Sequence, residues 1–227
     1  MADPFQVECI VFDLDGVLVD SRTPIARCLN LALGDLGLAA EPEAQLHGWI
    51  GHSLHEVFTA LLGDRGAPPS RVERAVERYR VHYRTVSLET RAFPGVERAI
   101  RELGTRHRLA VATSKPEAFA RPILEAVGFA DAFEHILGPP LEATHRESKT
   151  GTLERALAAL AAAPRAGPGA RPSASMVGDR RFDVEAGRFH GAATVGVTWG
   201  IGDVRELTEA GVDRLVHDPS ELVAVFG

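Results

Sequence analysis

Cysteine is nearly missing from these 227 residues, and the two present, Cys9 and Cys28, fall in a first apolar run and in the helical stretch after it. With no secretory leader beside them, two thiols exclude a disulfide-stapled scaffold and point to free thiols in a reducing compartment. The start, Met1-Ala2-Asp3-Pro4, has neither the basic nor the apolar region of a signal peptide, so a cytoplasmic location is expected. Positive charge is also short, with 25 Lys and Arg against 31 Asp and Glu and a formal net charge of -6. That balance gives no basic footprint for a nucleic-acid polymer, so an anionic substrate must be captured by a local site, which favours a small anion. No run approaches the roughly 18 consecutive apolar residues of a membrane span. What is present is length enough for a large core, as one α/β domain or a core domain carrying a small insertion.

The run Val7-Glu8-Cys9-Ile10-Val11-Phe12 ends in Asp13-Leu14-Asp15-Gly16. As a buried parallel strand it delivers two carboxylates and a flexible turn to its C-terminal end, where open α/β sheets place their ligands. Paired carboxylates there can hold a divalent cation, attack an electrophile or shuttle a proton. Taken alone, Asp15-Gly16 is better read as the turn of a hairpin between VECIVFDL and VLVD. The remainder of the chain decides against the hairpin.

From Asp20-Ser21 to about Ser87 the pattern is helical, with Ile25, Leu29, Leu33 and Leu36 at helical spacing and no convincing strand. Residues 21–87 are therefore expected to form a helical-bundle cap inserted after the first strand, with residues 1–20 and 88–227 forming the core. After Phe93-Pro94-Gly95 helices and strands alternate. Strands are expected at Leu109–Thr113, His135–Leu137, Ser175–Gly178 and Ala193–Val197, with helices between them, as in a parallel sheet covered on both faces. Pro122 inside the helix Lys115–Val127 removes a backbone bond, so a bend or break is expected near Arg121. Ala161–Ser173, rich in Ala, Pro, Gly and Arg, reads as a surface connection.

Three further strand or helix ends carry chemistry. Thr113 closes one strand, where its hydroxyl and the N–H groups of the following helix can take phosphate oxygens. Ser114 and Glu117 have capping-box spacing, with Pro116 early in the helix. Lys149 precedes a helix, at the unfavourable end of the macrodipole, at a cost of about 0.3 to 1 kcal/mol. There it could neutralise both a phosphate and an attacking carboxylate. Gly178-Asp179-Arg180-Arg181-Phe182-Asp183 again places carboxylates after a strand, and Asp179 can complete a Mg²⁺ site with Asp13. Asp183 reads equally as a helix cap or as a support for Lys149 and metal-bound water. Singly, Thr113 is better explained by its turn and Lys149 by solvation; the set is far more specific than any member.

Together these residues resemble the haloacid dehalogenase superfamily of phosphohydrolases. The strand ending Asp13-Leu14-Asp15-Gly16 matches its first motif, Thr113 its second, Lys149 its lysine, and Gly178 through Asp183 its acidic motif. Ala112-Thr113-Ser114-Lys115-Pro116, Tyr79-Arg80-x-x-Tyr83 and Trp199-Gly200-Ile201-Gly202 look closest to the phosphoglycolate phosphatase-like branch. Val17 and Thr150 depart from the commonest pattern, which bears on the substrate more than on the chemistry. The resemblance implies an α/β, Rossmann-like parallel sheet with a mobile helical cap, a Mg²⁺ cofactor, and a small phosphorylated metabolite as substrate.

On that resemblance Asp13 attacks phosphorus to form an aspartyl-phosphate, and Asp15 protonates the leaving group and then activates water. Asp13, the Asp15 backbone carbonyl and Asp179 would hold the metal. Thr113, Ser114 and Lys149 would hold the phosphoryl oxygens, with Gly16, Gly178 and Asp183 in support. Gly51 and His52, at a helical break in the cap, are the candidates for touching the substrate. Phosphatase action on phosphoglycolate or a nucleoside monophosphate leads; a phosphosugar mutase and a non-catalytic phosphate-binding module are the alternatives.

Overall fold

The structure, a computed structural model, describes residues 5–63, 70–141, 147–161 and 173–227. It divides into two compact units, Met1–Asp20 with Arg91–Gly227, and Ser21–Thr90.

The first unit is built on a parallel sheet in the order β5-β4-β1-β6-β7-β8, where β1 is Cys9–Phe12, β4 Arg108–Ala112, β5 His135–Leu137, β6 Ala174–Gly178, β7 Ala193–Val197 and β8 Arg214–Val216. Two short antiparallel strands, β2 (Val19–Asp20) and β3 (Arg91–Ala92), pair where the chain leaves and re-enters this unit. All four residues of β1 are buried, which explains why the strand reads as a continuous apolar run and not as an alternation. The strand order reverses between β1 and β6, and such a switch point opens a crevice at the carboxyl ends of the strands.

Side-chain parity decides what faces that crevice. In a strand alternate residues share a face, and Cys9 and Val11 pack with Ala110, Ala112 and Met176 against Leu153, Ala156, Leu157 and Leu160 of helix α7. Ile10 and Phe12 take the other face, where Phe12 meets Phe133 edge-on. Asp13 follows Val11 in the same parity and so projects toward the side of α7.

The helices of this unit are α5 (Val96–Leu103), α6 (Glu117–Val127), α7 (Lys149–Ala161), α8 (Arg181–Phe189), α9 (Val204–Glu209) and α10 (Pro219–Phe226). The inserted unit holds α1 (Arg22–Asp35), α2 (Glu43–His47), α3 (Leu54–Gly63) and α4 (Ser70–Val86). Its core joins Leu29 and Leu33 of α1 with Phe58 of α3 and Val76, Tyr79 and Tyr83 of α4, all buried, with the two tyrosine rings stacked. Among the described residues no helix is long and apolar enough to cross a membrane.

Two local expectations are corrected. Of the bend or break expected near Arg121 the break is absent, because the helix α6 runs unbroken through Pro122. The N–H that proline lacks would have bonded to Ala118, one turn back, and Ala118 is exposed, so water can serve its carbonyl. Nor does Ser114 cap α6, which starts at Glu117 after Pro116 in an extended conformation and has no side-chain cap. The Glu117 N–H donates instead to the backbone oxygen of Pro139 at 3.2 Å. Within the Ala161–Ser173 connection, residues 162–172 lie outside the described residues.

Candidate active site

Asp13 is the first residue beyond β1, and its N–H still donates to Val177 of β6 at 2.9 Å, so its backbone is held in the sheet at the switch point. One side-chain oxygen, Oδ1, accepts the Leu14 N–H at 2.7 Å. The other, Oδ2, lies 2.8 Å from the ammonium of Lys149. Lys149 is the first residue of α7, and the fully buried Leu153 and Leu160 on that helix pin it against the sheet. Its Nζ also lies 2.8 Å from Asp183 Oδ1 and donates to the carbonyl of Ala112 at 3.2 Å. The lysine is thus enclosed by three oxygen acceptors, which offsets its unfavourable place at a helix N-terminus.

The alternatives for Asp183 are resolved by division of labour. Its Oδ2 accepts the Arg180 N–H at 3.1 Å, closing the start of α8, while Oδ1 faces Lys149. Gly178 makes this possible, because a Cβ there would run into the Asp183 side chain. Asp179, fully buried, completes the group: Asp13, Asp179 and Asp183 each bring one carboxylate oxygen within 4.8 Å of the others. Gly16 adopts φ +81°, a conformation that favours glycine, and a Cβ at this position would strike Asp179 Oδ2. The turn after Asp15 therefore closes directly over the second acidic motif.

These groups perturb one another. Burial pushes the Asp13 carboxyl up to about 6, against the pull of Lys149. Asp179 is pushed up to about 7 by burial and by the charges of Asp183 and Asp13. Burial opposes the charge on Lys149, but Asp13 and Asp183 outweigh it and hold the ammonium above the ordinary lysine range. Three carboxylates against one ammonium leave a surplus of negative charge. Among the described residues Asp179 Oδ1 is buried with no hydrogen-bond partner, the situation of an oxygen that lacks its cation. Such hard oxygens fit Mg²⁺.

Thr113 is buried just beyond β4, beside Ala112, and its hydroxyl accepts the Lys115 N–H at 3.2 Å. Ser114 is partly exposed next to it. Gly51, with φ +92°, and His52 are exposed in the inserted unit, where the imidazole packs edge-on against Trp49. Reading the sequence overlooked Lys115, whose Nζ stands 3.0 Å from Asp15 Oδ1. The signal was available, since Lys115 follows a strand end as Lys149 opens a helix. It also overlooked the Ile201 and Gly202 N–H groups that bind Asp179, for which no side-chain signal exists.

The profile of the haloacid dehalogenase-like hydrolase family matches residues 10–197, which span every one of these core positions except Ile201 and Gly202. The chain belongs to the haloacid dehalogenase-like hydrolases. Among similar members, a 5'-nucleotidase of Pseudomonas aeruginosa is 36% identical over 200 residues, 87% of this chain and 86% of its own length. A phosphoglycolate phosphatase of Neisseria meningitidis is 31% identical over 224 residues, 92% of this chain and 87% of that protein. The solved structure of protein tyrosine kinase A from Mycobacterium tuberculosis has a TM-score of 0.77 at 31% identity, over 97% of this chain and 98% of that one. The haloacid dehalogenase-like fold and the phosphoglycolate phosphatase-like resemblance read from the sequence agree with these relatives.

Proposed function

We propose that this chain is a Mg²⁺-dependent phosphoric monoester hydrolase that acts through an aspartyl-phosphate on Asp13. The observation that carries the reading is the Lys149 ammonium 2.8 Å from the Asp13 carboxylate at the switch point of the sheet. An anion attacking an anionic phosphate needs that compensation, and the buried acidic group beside it supports a divalent cation. Asp13, the Asp15 backbone carbonyl and Asp179 would hold Mg²⁺, with Asp183 acting through Lys149. When bound, Mg²⁺ supplies positive charge to the phosphoryl oxygens.

In the first step an Asp13 oxygen bonds to phosphorus as the ester P–O bond breaks, and Asp15 gives its proton to the departing alkoxide. In the second, Asp15 takes a proton from water as the water oxygen bonds to phosphorus and the Asp13–phosphorus linkage breaks. Inorganic phosphate leaves and both carboxyl groups return to their starting forms. Thr113, Ser114 and Lys149 hold the phosphoryl oxygens during both steps.

The substrate class is a small phosphomonoester, phosphoglycolate or a nucleoside monophosphate, a reading supported by the names of the relatives. The buried thiols of Cys9 and Cys28, neither of them in a disulfide, support action in the reducing cytoplasm. The test is release of phosphate from p-nitrophenyl phosphate with and without Mg²⁺, followed by a screen of sugar, nucleotide and organic-acid monoesters. Release that requires Mg²⁺ and vanishes in Asp13→Asn is expected. Phosphate transferred to a sugar hydroxyl or a tyrosine, with none released to water, would replace hydrolysis by group transfer.

A further inference from the structure

Asp179 uses its two oxygens in different ways. Oδ2 accepts the backbone N–H of Ile201 at 2.7 Å and of Gly202 at 3.2 Å, while Oδ1 is buried with no hydrogen-bond partner among the described residues. Both donors belong to the turn Trp199-Gly200-Ile201-Gly202 that follows β7. The Trp199 indole donates to the carbonyl of Val17 at 3.1 Å, which ties this turn to the loop after Asp15 as well. It lies flush on both acidic motifs: a Cβ at Gly200 would meet the Gly16 carbonyl and the Asp179 carboxylate, and one at Gly202 would meet the Asp179 backbone oxygen. Two tight contacts and three hydrogen bonds are more than a connection to α9 requires.

We propose that the Trp199–Gly202 turn is a positioning element that fixes Asp179 as a one-oxygen metal ligand, and thereby makes the site prefer Mg²⁺ to Ca²⁺. This rests on the Mg²⁺ reading given above. The preference follows from coordination chemistry. Mg²⁺ takes six ligands in near-octahedral array at about 2.1 Å, whereas Ca²⁺ takes about six to eight at longer range and readily accepts both oxygens of one carboxylate. For Asp179 to offer both oxygens, Oδ2 must leave the Ile201 and Gly202 N–H groups, stranding two donors in a partly buried turn. Peptide donors set in a turn cannot swing after it as a flexible side chain would, so the turn resists the arrangement that favours the larger ion.

The test is calorimetric titration of Mg²⁺ and of Ca²⁺ into the full chain without substrate, for the wild type, Gly202→Ala and Trp199→Phe, each checked for a cooperative melt. Gly202→Ala should weaken Mg²⁺ by about tenfold or more, the usual effect of disturbing a group that orients a ligand, and weaken Ca²⁺ distinctly less. Trp199→Phe, which removes the indole hydrogen bond while keeping an aromatic ring, should lower the Mg²⁺ preference in the same direction by a smaller factor. Should Gly202→Ala fail to fold, Trp199→Phe carries the decision alone. A folded variant that binds both ions as the wild type does, or loses both in equal proportion, overturns the role of the turn while leaving the Mg²⁺ site standing. A wild type that binds no Mg²⁺ removes the metal reading itself, and this inference with it.

Discussion

Lys115 Nζ lies 3.0 Å from Asp15 Oδ1, with both side chains largely withdrawn from water. The backbone N–H of the same lysine donates to the Thr113 hydroxyl, so the residue joins the proposed acid–base group to the proposed phosphate cradle. An ammonium at that distance restrains where the carboxylate can point. Lys115→Met should therefore lower kcat by about a hundredfold, the cost of a reacting group misplaced by about 1 Å, with KM changed much less. Lys115→Arg, which keeps the charge, should recover part of the rate. Steady-state kinetics on p-nitrophenyl phosphate decide it, and a wild-type kcat in Lys115→Met would dismiss the role.

The pH dependence of stability and metal affinity follows from two raised carboxyl groups. Asp13 and Asp179 move from an ordinary 3.8 up to about 6 and about 7. Between those values the folded, metal-free chain keeps protons that the unfolded chain has released, so these groups favour folding at low pH and progressively less as pH rises to about 7. A cation needs the ionised forms and displaces those protons, so Mg²⁺ should bind more tightly as pH rises. Thermal melts at about pH 5.5 and about pH 8 should show a larger Mg²⁺-induced rise in Tm at the higher pH. Equal increments would contradict this linkage.

Asp183 allows its two duties to be separated. Asp183→Asn retains an oxygen for the Arg180 N–H but turns an amide NH₂ toward Lys149 in place of a carboxylate oxygen, so activity should collapse and the melting temperature should fall. Asp183→Ala loses the helix-closing bond too, and should cost roughly a further 1 kcal/mol of stability, as removal of a capping group does. Urea denaturation compares the two variants. Identical stabilities would show that the bond at the start of α8 carries no weight.

Cys9 should be chemically silent. Burial pushes its thiol up to about 11, and Cys28 is buried as well. Neither should react with an aromatic disulfide reagent at neutral pH until the protein unfolds, whereupon both should titrate. Rapid labelling of the native protein would show that the strand or the first helix opens readily.

The parts of this architecture that announce themselves do so by long apolar runs. Cys9–Phe12 is legible because burial on both faces writes an unbroken hydrophobic string, and the carboxylate of Asp13 at its end then stands out as an exception. The strand Arg214–Val216 is only three residues long, starts on an exposed arginine, and carries no such string. The break expected at Pro122 fails because the local rule against proline in helices takes no account of a solvent-facing carbonyl one turn back. Asp13, Asp179 and Asp183 converge as their motif order implies, but the pairing of Lys115 with Asp15 depends on side-chain directions that spacing does not encode. The N–H groups of Ile201 and Gly202 are beyond sequence reading in principle, since every residue but proline offers one.

The pairing of Val19 with Ala92 and of Asp20 with Arg91 has a consequence for how such a chain can change over evolutionary time. Adjacent strands run about 5 Å apart, so everything between Ser21 and Thr90 begins and ends at nearly the same point. A guest segment of quite different size can be exchanged there without rethreading the sheet, since lengthening a loop whose ends already meet costs little. One module can thus be replaced in a single piece while the sheet and its switch point keep their wiring.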